Sequence, residues 1–260
     1  MTGWEEGGGV GVRLDGPVAE VTLDDAAHRN GITAALRDAL PRALRYVHEE
    51  TPARAIVLYG RPEIFCSGGT YDDLVVEGPV RTPLAWDFVT APATCPLPVI
   101  AAAQGGAVGG GLLLALYADL TVLSDSSGYA ANFMSYGFTP CLGSTYLLPA
   151  VFGRQLGTEM LYTARPYRGR ELAARGAGPQ VVAYDAVPVQ ARRAADRIAR
   201  APREAVELLK RHLAGPRLRA ARAAYRRELP GHISTLTSAE ARRRLAAGDL
   251  AVPPGRKEPT

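Results

Sequence analysis

The spacing of hydrophobic positions along the chain predicts alternating strands and helices. Val18–Leu23 alternates in the manner of a half-buried strand, and Ala55–Tyr59 is a short apolar run typical of a buried one. Between them, residues 33–49 have helical periodicity, and Thr33 is well suited to cap that helix at its N-terminus. This order of elements predicts the α/β class.

The same alternation continues through the middle of the chain. Val99–Ala103 predicts a strand introduced by two prolines, residues 112–117 predict a buried helix, and residues 119–123 predict another short strand. From about residue 192 onward, Ala- and Arg-rich helical patterns dominate. Prolines punctuate these patterns, and we expect helix breaks at Pro202, Pro216 and Pro230.

Two glycine-rich segments stand where a strand is predicted to give way to a helix. They read Phe-Cys-Ser-Gly-Gly-Thr at residues 65–70 and Gln-Gly-Gly-Ala-Val-Gly-Gly-Gly at residues 104–111. Neither has the Gly-Lys-Ser/Thr ending of a P-loop or the Gly-x-Gly-x-x-Gly pattern of a dinucleotide site. Two converging backbone N–H groups stabilise negative charge on a carbonyl oxygen, which becomes an enolate when the substrate is a thioester. The alternative is that the glycines serve only turns and close helix packing.

The order of these motifs resembles the crotonase (enoyl-CoA hydratase/isomerase) superfamily, from about Val10 to about Leu245. The resemblance implies a spiral of ββα turns with a C-terminal helical region, and assembly into trimers or dimers of trimers. It also implies that the thioester carbonyl lies between the N–H groups of Gly69 and Gly110. We accordingly expect a spiral core over residues 1–195, and a helical region over residues 196–252 that completes the active site and an oligomer interface. A disordered tail is expected over residues 253–260.

Composition agrees with this class. The 260 residues are 47% hydrophobic, which is enough for a large core. Residues 4–9 do not resemble a signal peptide, and the apolar run at 107–118 is too short for a bilayer. Cys66, Cys95 and Cys141 have no metal-ligand or disulfide spacing and are expected to be small buried residues. We therefore expect a cytoplasmic protein without a membrane partner or a metal.

The chain is basic, and its basic residues are almost all arginines. The net charge is +4 and the only lysines are Lys210 and Lys257. The bias towards Arg and Ala is typical of genome composition, although part of the excess would also suit an acidic partner. The arginines are scattered over helices without interleaved aromatic residues, so nucleic-acid binding is not expected.

The resemblance also shows what this chain lacks. Hydratases of the superfamily carry two glutamates, and the matching positions here are Leu113 and Phe133. Neither side chain can activate water or move a proton, so hydration is excluded and a glutamate-driven double-bond shift loses its base. A non-catalytic homologue kept for binding is the remaining alternative.

A narrower resemblance addresses this loss. The run Ala-Asn-Phe-Met-Ser-Tyr-Gly-Phe-Thr-Pro at residues 131–140, together with residues 67–70 and 167–169, resembles the decarboxylases of polyketide β-branching cassettes. The implied reaction converts a 3-methylglutaconyl-type thioester into a 3-methylcrotonyl-type thioester. The implied acyl donor is a phosphopantetheine thioester on an acyl-carrier protein or on CoA, with no other cofactor. In such a reaction Leu113 and Phe133 would desolvate the departing carboxylate.

Decarboxylation leaves one proton to be delivered to carbon, and four histidines compete for that role. His48 lies at a predicted helix end, where its charge would favour the helix C-terminus. His212 lies on a basic helical face and is expected to be solvated. His28 lies in a polar turn that the resemblance places near the pantetheine, so we assign it to substrate binding. His232 is expected at a break between two helices, and the resemblance implies that it is the proton donor.

A cation is expected to receive the substrate carboxylate. The decarboxylase branch commonly has a lysine after the first glycine motif, and Arg81 occupies what resembles that place. An arginine binds a carboxylate well but does not shed a proton, which favours an electrostatic role. The alternative is that Arg81 is an exposed loop residue. Tyr71 has a hydroxyl that can orient the carboxylate, or its ring can pack over the acyl chain.

Two other functions stay open on the sequence alone. An enoyl-thioester isomerase using His232 would pass through the same dienolate, and a non-catalytic homologue would only bind a carrier protein. The sequence leaves the natural acyl chain, the final double-bond position, the docking carrier protein and the choice between trimer and hexamer undecided.

Overall fold

The computed structural model describes residues 7–76 and 82–247, which form two sheets and the helices that cover them. The strands are β1 Val10–Asp15, β2 Val18–Leu23, β3 Ala55–Tyr59, β4 Ile64–Cys66, β5 Val99–Ala103, β6 Gly106–Val108, β7 Leu120–Ser124, β8 Gly128–Ala130, β9 Tyr167–Arg168 and β10 Gln180–Val182. The larger sheet has the order β1-β2-β3-β5-β7-β10, and the smaller has the order β4-β6-β8-β9.

The helices connect successive strand pairs and then continue as a C-terminal layer. They are α1 Ala34–Glu50, α2 Thr82–Thr94, α3 Gly110–Tyr117, α4 Ser144–Phe152, α5 Arg154–Thr163, α6 Gly169–Ala174, α7 Val187–Ile198, α8 Arg203–Leu236 and α9 Ala239–Ala246. Helix α1 is capped as predicted, because the Thr33 side chain accepts a hydrogen bond from the Leu36 N–H. Shorter helical turns lie at Asp72–Val76, Asn132–Tyr136 and Tyr184–Ala186.

The element order repeats as strand, strand, helix. The pairs β3–β4 and β5–β6 each place one strand in each sheet and lead into α2 and α3 respectively, and β7–β8 repeats the pairing. Strands β3, β5 and β7 are parallel neighbours in the larger sheet, and β4, β6 and β8 are parallel neighbours in the smaller. The predicted α/β spiral of ββα turns is therefore confirmed.

The predicted breaks in the C-terminal region are wrong at two of the three prolines. Helix α8 runs without interruption through Pro216 and Pro230, so His232 lies inside a helix and not at a break. A proline inside a helix costs about 3 kcal/mol or more, because it removes one backbone hydrogen bond and crowds the preceding turn. Packing against the core outweighs that cost here, since Ala221, Ala224 and Leu236 on α8 are all buried.

The predicted segment boundaries can be located on these elements. The boundary between residues 195 and 196 falls inside α7, whereas the tail at residues 253–260 lies outside the described residues. Cys66, Cys95 and Cys141 are free and buried. In the described part of the chain, no helix combines the length and the apolar character that crossing a membrane requires.

Candidate active site

Three loops meet at one edge of the smaller sheet. They follow β4, β6 and β8, which are parallel neighbours, so their carboxyl ends point the same way. The first loop carries Gly68 and Gly69, the second carries the glycines that begin α3, and the third is the helical turn Asn132–Tyr136. The two glycine motifs that are distant in sequence are thus brought together by sheet topology.

Glycine is required at this edge for steric reasons. Gly68 has a φ of +84°, and a Cβ on it would lie 2.5 Å from the Val108 carbonyl oxygen. A Cβ on Gly111 would lie 2.2 Å from the Cys66 carbonyl oxygen. These separations are shorter than real side chains show, so the two loops approach each other closely only because both carry glycine.

Each of the two predicted oxyanion donors is oriented through the carbonyl of its own peptide unit. The Gly68 carbonyl accepts a hydrogen bond from Ile32 N–H at 2.8 Å, and the Gly109 carbonyl accepts one from Leu113 N–H at 3.1 Å. In a trans peptide the N–H points opposite to the C=O, so these bonds fix the directions of the Gly69 and Gly110 N–H groups.

No acceptor within residues 7–76 and 82–247 receives a hydrogen bond from the N–H of Gly69 or of Gly110. Gly110 is also the first residue of α3, where the helix dipole adds partial positive charge. Both N–H groups are therefore available to bind an oxygen with developing negative charge.

Both donors line one narrow cavity of about 60 Å³. Its described lining is mostly apolar and contains no Asp, Glu, Lys or Arg. The lining residues are Ile32, Ser67, Gly68, Gly69, Leu74, Ala85, Gly109, Gly110, Asn132, Phe133, Tyr136, Phe138, Cys141, Leu142, His232 and Leu236. A charged group that enters this cavity finds no side chain of opposite formal charge in the described lining.

His232 is the titratable imidazole of this cavity. It is 5% exposed, and its Nδ1 lies 2.7 Å from the Thr139 carbonyl oxygen. A carbonyl only accepts, so Nδ1 carries the proton and Nε2 is the nitrogen left for chemistry. Burial lowers the pKa of His232 below its usual value, although the bond to Thr139 opposes this effect. The edge of the Phe138 ring contacts the imidazole, with centroids 5.5 Å apart.

Helix α8 is fastened to the cavity wall beside His232. Thr139 N–H donates to Thr235 Oγ1 at 3.0 Å, so the residue that holds the imidazole is itself held by α8. One turn before His232, the buried Glu228 carboxylate accepts hydrogen bonds from the N–H groups of Gly143 and Thr145, at 2.7 and 2.8 Å. Burial raises the pKa of Glu228, while these donors oppose the rise.

Of the remaining predicted site residues, Phe133 lies in the cavity, whereas Leu113 and Arg81 do not belong to its described lining. Phe133 lines the cavity and is buried. Leu113 is fully buried in the hydrophobic core and does not belong to the cavity lining. Arg81, the predicted carboxylate-binding cation, lies outside the described residues.

His28 and Tyr71 lie together in a groove of about 190 Å³ beside the cavity. The groove shares Ser67 and Gly69 with the cavity, so it leads to the oxyanion donors. Tyr71 is 41% exposed there and does not reach the described cavity lining. His28 is exposed, and its Nδ1 lies 2.9 Å from both carboxylate oxygens of Asp25.

The two remaining histidines lie away from the cavity, as expected. His48 is in the last turn of α1, with its Nε2 3.4 Å from a Glu207 carboxylate oxygen. His212 is exposed on α8.

Three residues of the site were not assigned chemistry from the sequence. Asn132 and Tyr136 line the cavity, and Thr139 holds His232. All three belong to the run at residues 131–140, which carried the narrower resemblance. The sequence signal that could have identified them is the presence of polar residues between the apolar residues of that run.

The chain is similar to known proteins over most of its length. The profile of the family described as enoyl-CoA hydratase/isomerase matches residues 13–247. The bacillaene synthase decarboxylase PksI of Bacillus subtilis (strain 168) is 36% identical over 206 residues, which cover 79% of this chain and 83% of that protein.

Two solved structures are similar over most of the chain. The ECH2 decarboxylase domain of CurF from Lyngbya majuscula superposes with a TM-score of 0.83 at 33% identity, covering 93% of this chain and 99% of that domain. A structure from a dehydratase/decarboxylase enzyme couple involved in polyketide β-branching gives a TM-score of 0.84 at 32% identity, covering 92% and 95% of the two chains. The chain therefore belongs to the enoyl-CoA hydratase/isomerase family, the crotonase superfamily.

Proposed function

We propose that this protein is an acyl-thioester decarboxylase of polyketide β-branching. The observation that carries the proposal is the cavity itself, in which two N–H donors and one buried histidine lie within an apolar described lining. Relatives that are about one third identical are named as decarboxylases, one of them in a polyketide β-branching enzyme couple. These names favour decarboxylation over the isomerase and the non-catalytic alternatives.

The proposed substrate is a 3-methylglutaconyl-type thioester. Its thioester oxygen binds the N–H groups of Gly69 and Gly110. The bond between the γ-carbon and the carboxylate breaks, CO₂ leaves, and the electron pair moves through the alkene onto the thioester oxygen. The dienolate formed in this way is stabilised by the two donors, each of which is worth on the order of 10²–10³ in rate. Because the thioester accepts the electrons, the step uses no redox cofactor.

The apolar wall promotes the loss of charge. A carboxylate is poorly solvated beside Phe133, whereas CO₂ is neutral and needs little solvation. This gives a chemical reason for an aromatic residue at a position where hydratases carry a glutamate. Leu113 supports the same wall from the core and is not proposed to contact the substrate.

His232 then delivers the proton that completes the product. Protonation of the dienolate at C4 gives the 3-methylcrotonyl thioester, and protonation at C2 gives its double-bond isomer. Since the pKa of His232 is lowered by burial, the free enzyme holds mostly the neutral imidazole near pH 7. The anionic substrate favours the imidazolium, so substrate binding and proton uptake on Nε2 are linked.

The acyl chain is proposed to arrive on phosphopantetheine of an acyl-carrier protein, or on CoA. The groove that carries His28 and Tyr71 connects with the oxyanion donors and is the proposed path of the arm. Arg81 remains the proposed cation for the carboxylate. A homo-oligomer, either a trimer or a dimer of trimers, stays a prediction that light scattering on the purified protein would check.

The test uses a 3-methylglutaconyl group loaded on an acyl-carrier protein, with intact-protein mass spectrometry before and after addition of the enzyme. We expect loss of one CO₂ mass with the wild-type protein and at least about 10²-fold slower loss with His232→Ala. His212→Ala is the matched control, because His212 is exposed on the same helix.

Each other outcome has a defined meaning. If the His232→Ala variant still releases CO₂ at the wild-type rate, the protein is a decarboxylase but His232 is not its proton donor. No loss on any carrier, together with migration of the double bond in an uncharged enoyl thioester, would reject the decarboxylase in favour of the isomerase.

A further inference from the structure

Asn132 lies where the wall of the cavity meets the second oxyanion motif. It begins the helical turn that follows β8, and its Oδ1 would be 3.0 Å from a Cβ on Gly109. Gly109 immediately precedes the donor Gly110 and contributes to the same cavity lining. The amide of Asn132 thus packs against the peptide that presents the thioester-binding N–H.

This amide has no hydrogen-bond partner within residues 7–76 and 82–247. The only hydrogen bond of Asn132 in that range is made by its backbone carbonyl, which accepts from Ser135 Oγ at 2.6 Å. The Oδ1 atom is the end of the amide nearest to Gly109, and Nδ2 lies further from it. The amide is half-buried, so its Nδ2–H is free to donate to a polar group that enters the cavity.

Two other polar side chains of the lining, and the two oxyanion donors, are engaged in the structure or needed by the thioester. Ser67 Oγ donates to the His28 carbonyl at 3.3 Å, and His232 Nδ1 is bound to Thr139. The N–H groups of Gly69 and Gly110 are required by the thioester oxygen. Asn132 Nδ2 makes no hydrogen bond within residues 7–76 and 82–247, and it is available to a second polar group of the substrate.

We propose that Asn132 binds the carboxylate of the substrate through its Nδ2–H, and thereby selects acyl groups that end in a carboxylate. The inference rests on the proposed function for the identity of that anion. The thioester carbonyl and the carboxylate of a glutaconyl chain are four bonds apart. A carboxylate at that separation from a thioester bound at Gly110 can reach the adjoining wall, where Asn132 lies beside Gly109.

A neutral amide suits this role better than a second cation would. It holds the carboxylate in a fixed orientation, so that the bond to CO₂ can align with the π system of the alkene. It adds no further positive charge to the one that Arg81 is proposed to supply. Asn132 is hence expected to act mainly on substrate affinity and orientation, while the oxyanion donors act on the dienolate.

The experiment measures binding of two unreactive thioesters that differ only in the carboxylate. The probes are the saturated 3-methylglutaryl and 3-methylbutyryl pantetheine thioesters, titrated into the 260-residue protein by calorimetry. Neither can form the dienolate, so the measurement is independent of turnover. The variants are Asn132→Leu, which removes the donor at similar size, and Asn132→Asp, which adds a like charge.

We expect both variants to weaken binding of the 3-methylglutaryl thioester by roughly 10- to 100-fold, the range for a hydrogen bond to a charged group. Binding of the 3-methylbutyryl thioester should stay within about threefold of the wild type. Met134→Ala is the matched control, because Met134 is exposed on the same helical turn. It should leave both affinities unchanged.

Three outcomes would overturn the proposal. They are equal weakening of both thioesters in the Asn132 variants, unchanged binding of the carboxylated thioester, and a wild-type protein that does not prefer the carboxylated thioester. Failure of the proposed function would look different. The wild type would then bind the 3-methylglutaryl thioester through Asn132 and yet release no CO₂ from the 3-methylglutaconyl thioester.

Discussion

The imidazole of His232 is held by the Thr139 carbonyl oxygen, with 2.7 Å between that oxygen and Nδ1. This bond selects the tautomer with a proton on Nδ1, so Nε2 is unprotonated whenever the ring is neutral. Burial lowers the pKa of His232, which makes the neutral ring the dominant form of the free enzyme near pH 7. Proton delivery from Nε2 therefore depends on the imidazolium form.

We expect the rate of decarboxylation to fall as the pH rises. Because the pKa of His232 lies below its usual value of 6.5, kcat/KM should decrease about tenfold per pH unit above that pKa. The substrate anion raises the pKa of His232 in the complex, so the inflection of kcat should lie at a higher pH than that of kcat/KM. Initial rates of CO₂ release between pH 5 and pH 9 measure both profiles.

A flat profile between pH 6 and pH 9 would reject the imidazolium as proton donor. Thr235→Val provides a second check, because it removes the hydroxyl that accepts the Thr139 N–H but leaves His232 in place. It should shift the inflection of kcat/KM without abolishing turnover.

The Gly110 N–H can be removed with little cost to helix α3. Gly110 is the first residue of that helix, where a proline is tolerated because the N–H has no partner in the helix. Gly110→Pro should lower kcat on the order of 10²–10³, since one donor to the dienolate is lost. Gly110→Ala is the matched control, because it adds a Cβ and keeps the N–H.

Both variants place a Cβ 2.6 Å from Ile32 Cδ1, so both require the same shift of that side chain. The comparison of their kcat values therefore removes the effect of the Cβ and tests replacement of the N–H by the proline ring carbon Cδ. Equal activity in the two variants would show that Gly110 does not bind the thioester oxygen.

Much of the site was predictable because glycine-rich segments at strand ends indicate tight turns and accessible backbone N–H groups. The Gly69 and Gly110 motifs could be placed together from the sequence, since parallel strands bring their carboxyl ends to one edge. The absence of glutamate at Leu113 and Phe133 could be read directly. The sequence could not predict which of these two side chains reaches the cavity. That outcome depends on how α3, which carries Leu113, is rotated against the sheet.

The setting of His232 was not predictable from local signals. Pro230 favours a helix break two residues earlier, but α8 continues because its buried face packs on the core. That continuity places His232 one turn after Glu228, and Glu228 fastens the helix to residues 143 and 145. Asn132 was missed for a related reason, since an unpaired amide is visible only when all neighbouring donors and acceptors are known.

Asn30 holds the turn that orients the first oxyanion donor. It is fully buried, and its Nδ2 donates to the carbonyls of Leu23 and Phe65 at 3.0 and 3.1 Å, while its Oδ1 accepts from Asp25 N–H at 2.7 Å. Two residues later, Ile32 N–H binds the Gly68 carbonyl. Asn30→Gly should lower the free energy of unfolding by about 2–4 kcal/mol, because three buried polar groups lose their partners.

Glycine is the chosen replacement because Asn30 has a φ of +53°, which alanine adopts only with strain. Asn30→Ala should therefore be less stable than Asn30→Gly by roughly 1 kcal/mol in urea unfolding. Under conditions where Asn30→Gly is folded, its kcat should fall while its KM changes little. An unchanged kcat would mean that the turn does not orient Gly69.

Lys210 joins helix α8 to the start of two strands in the larger sheet. Its ammonium group is buried, donates to the Pro92 carbonyl at 2.8 Å and pairs with the carboxylate of Asp119. The same carboxylate accepts a hydrogen bond from Val99 N–H at 2.8 Å. Burial lowers the pKa of Lys210, and Asp119 opposes that effect. Lys210→Met should lower the free energy of unfolding by about 2–3 kcal/mol, because Asp119 loses its nearer cation and keeps only Arg217, whose Nη2 lies 3.7 Å from its Oδ1.

The double variant Lys210→Met with Asp119→Asn should regain most of that loss. Asparagine can still accept from Val99 N–H, and neither residue 119 nor residue 210 then carries a charge. Urea unfolding of the two variants and of Arg211→Ala, an exposed neighbour on α8, measures the difference at equal protein concentration. If the free energy of unfolding of Lys210→Met lies within about 1 kcal/mol of that of Arg211→Ala, α8 is held by its apolar contacts and not by this ion pair.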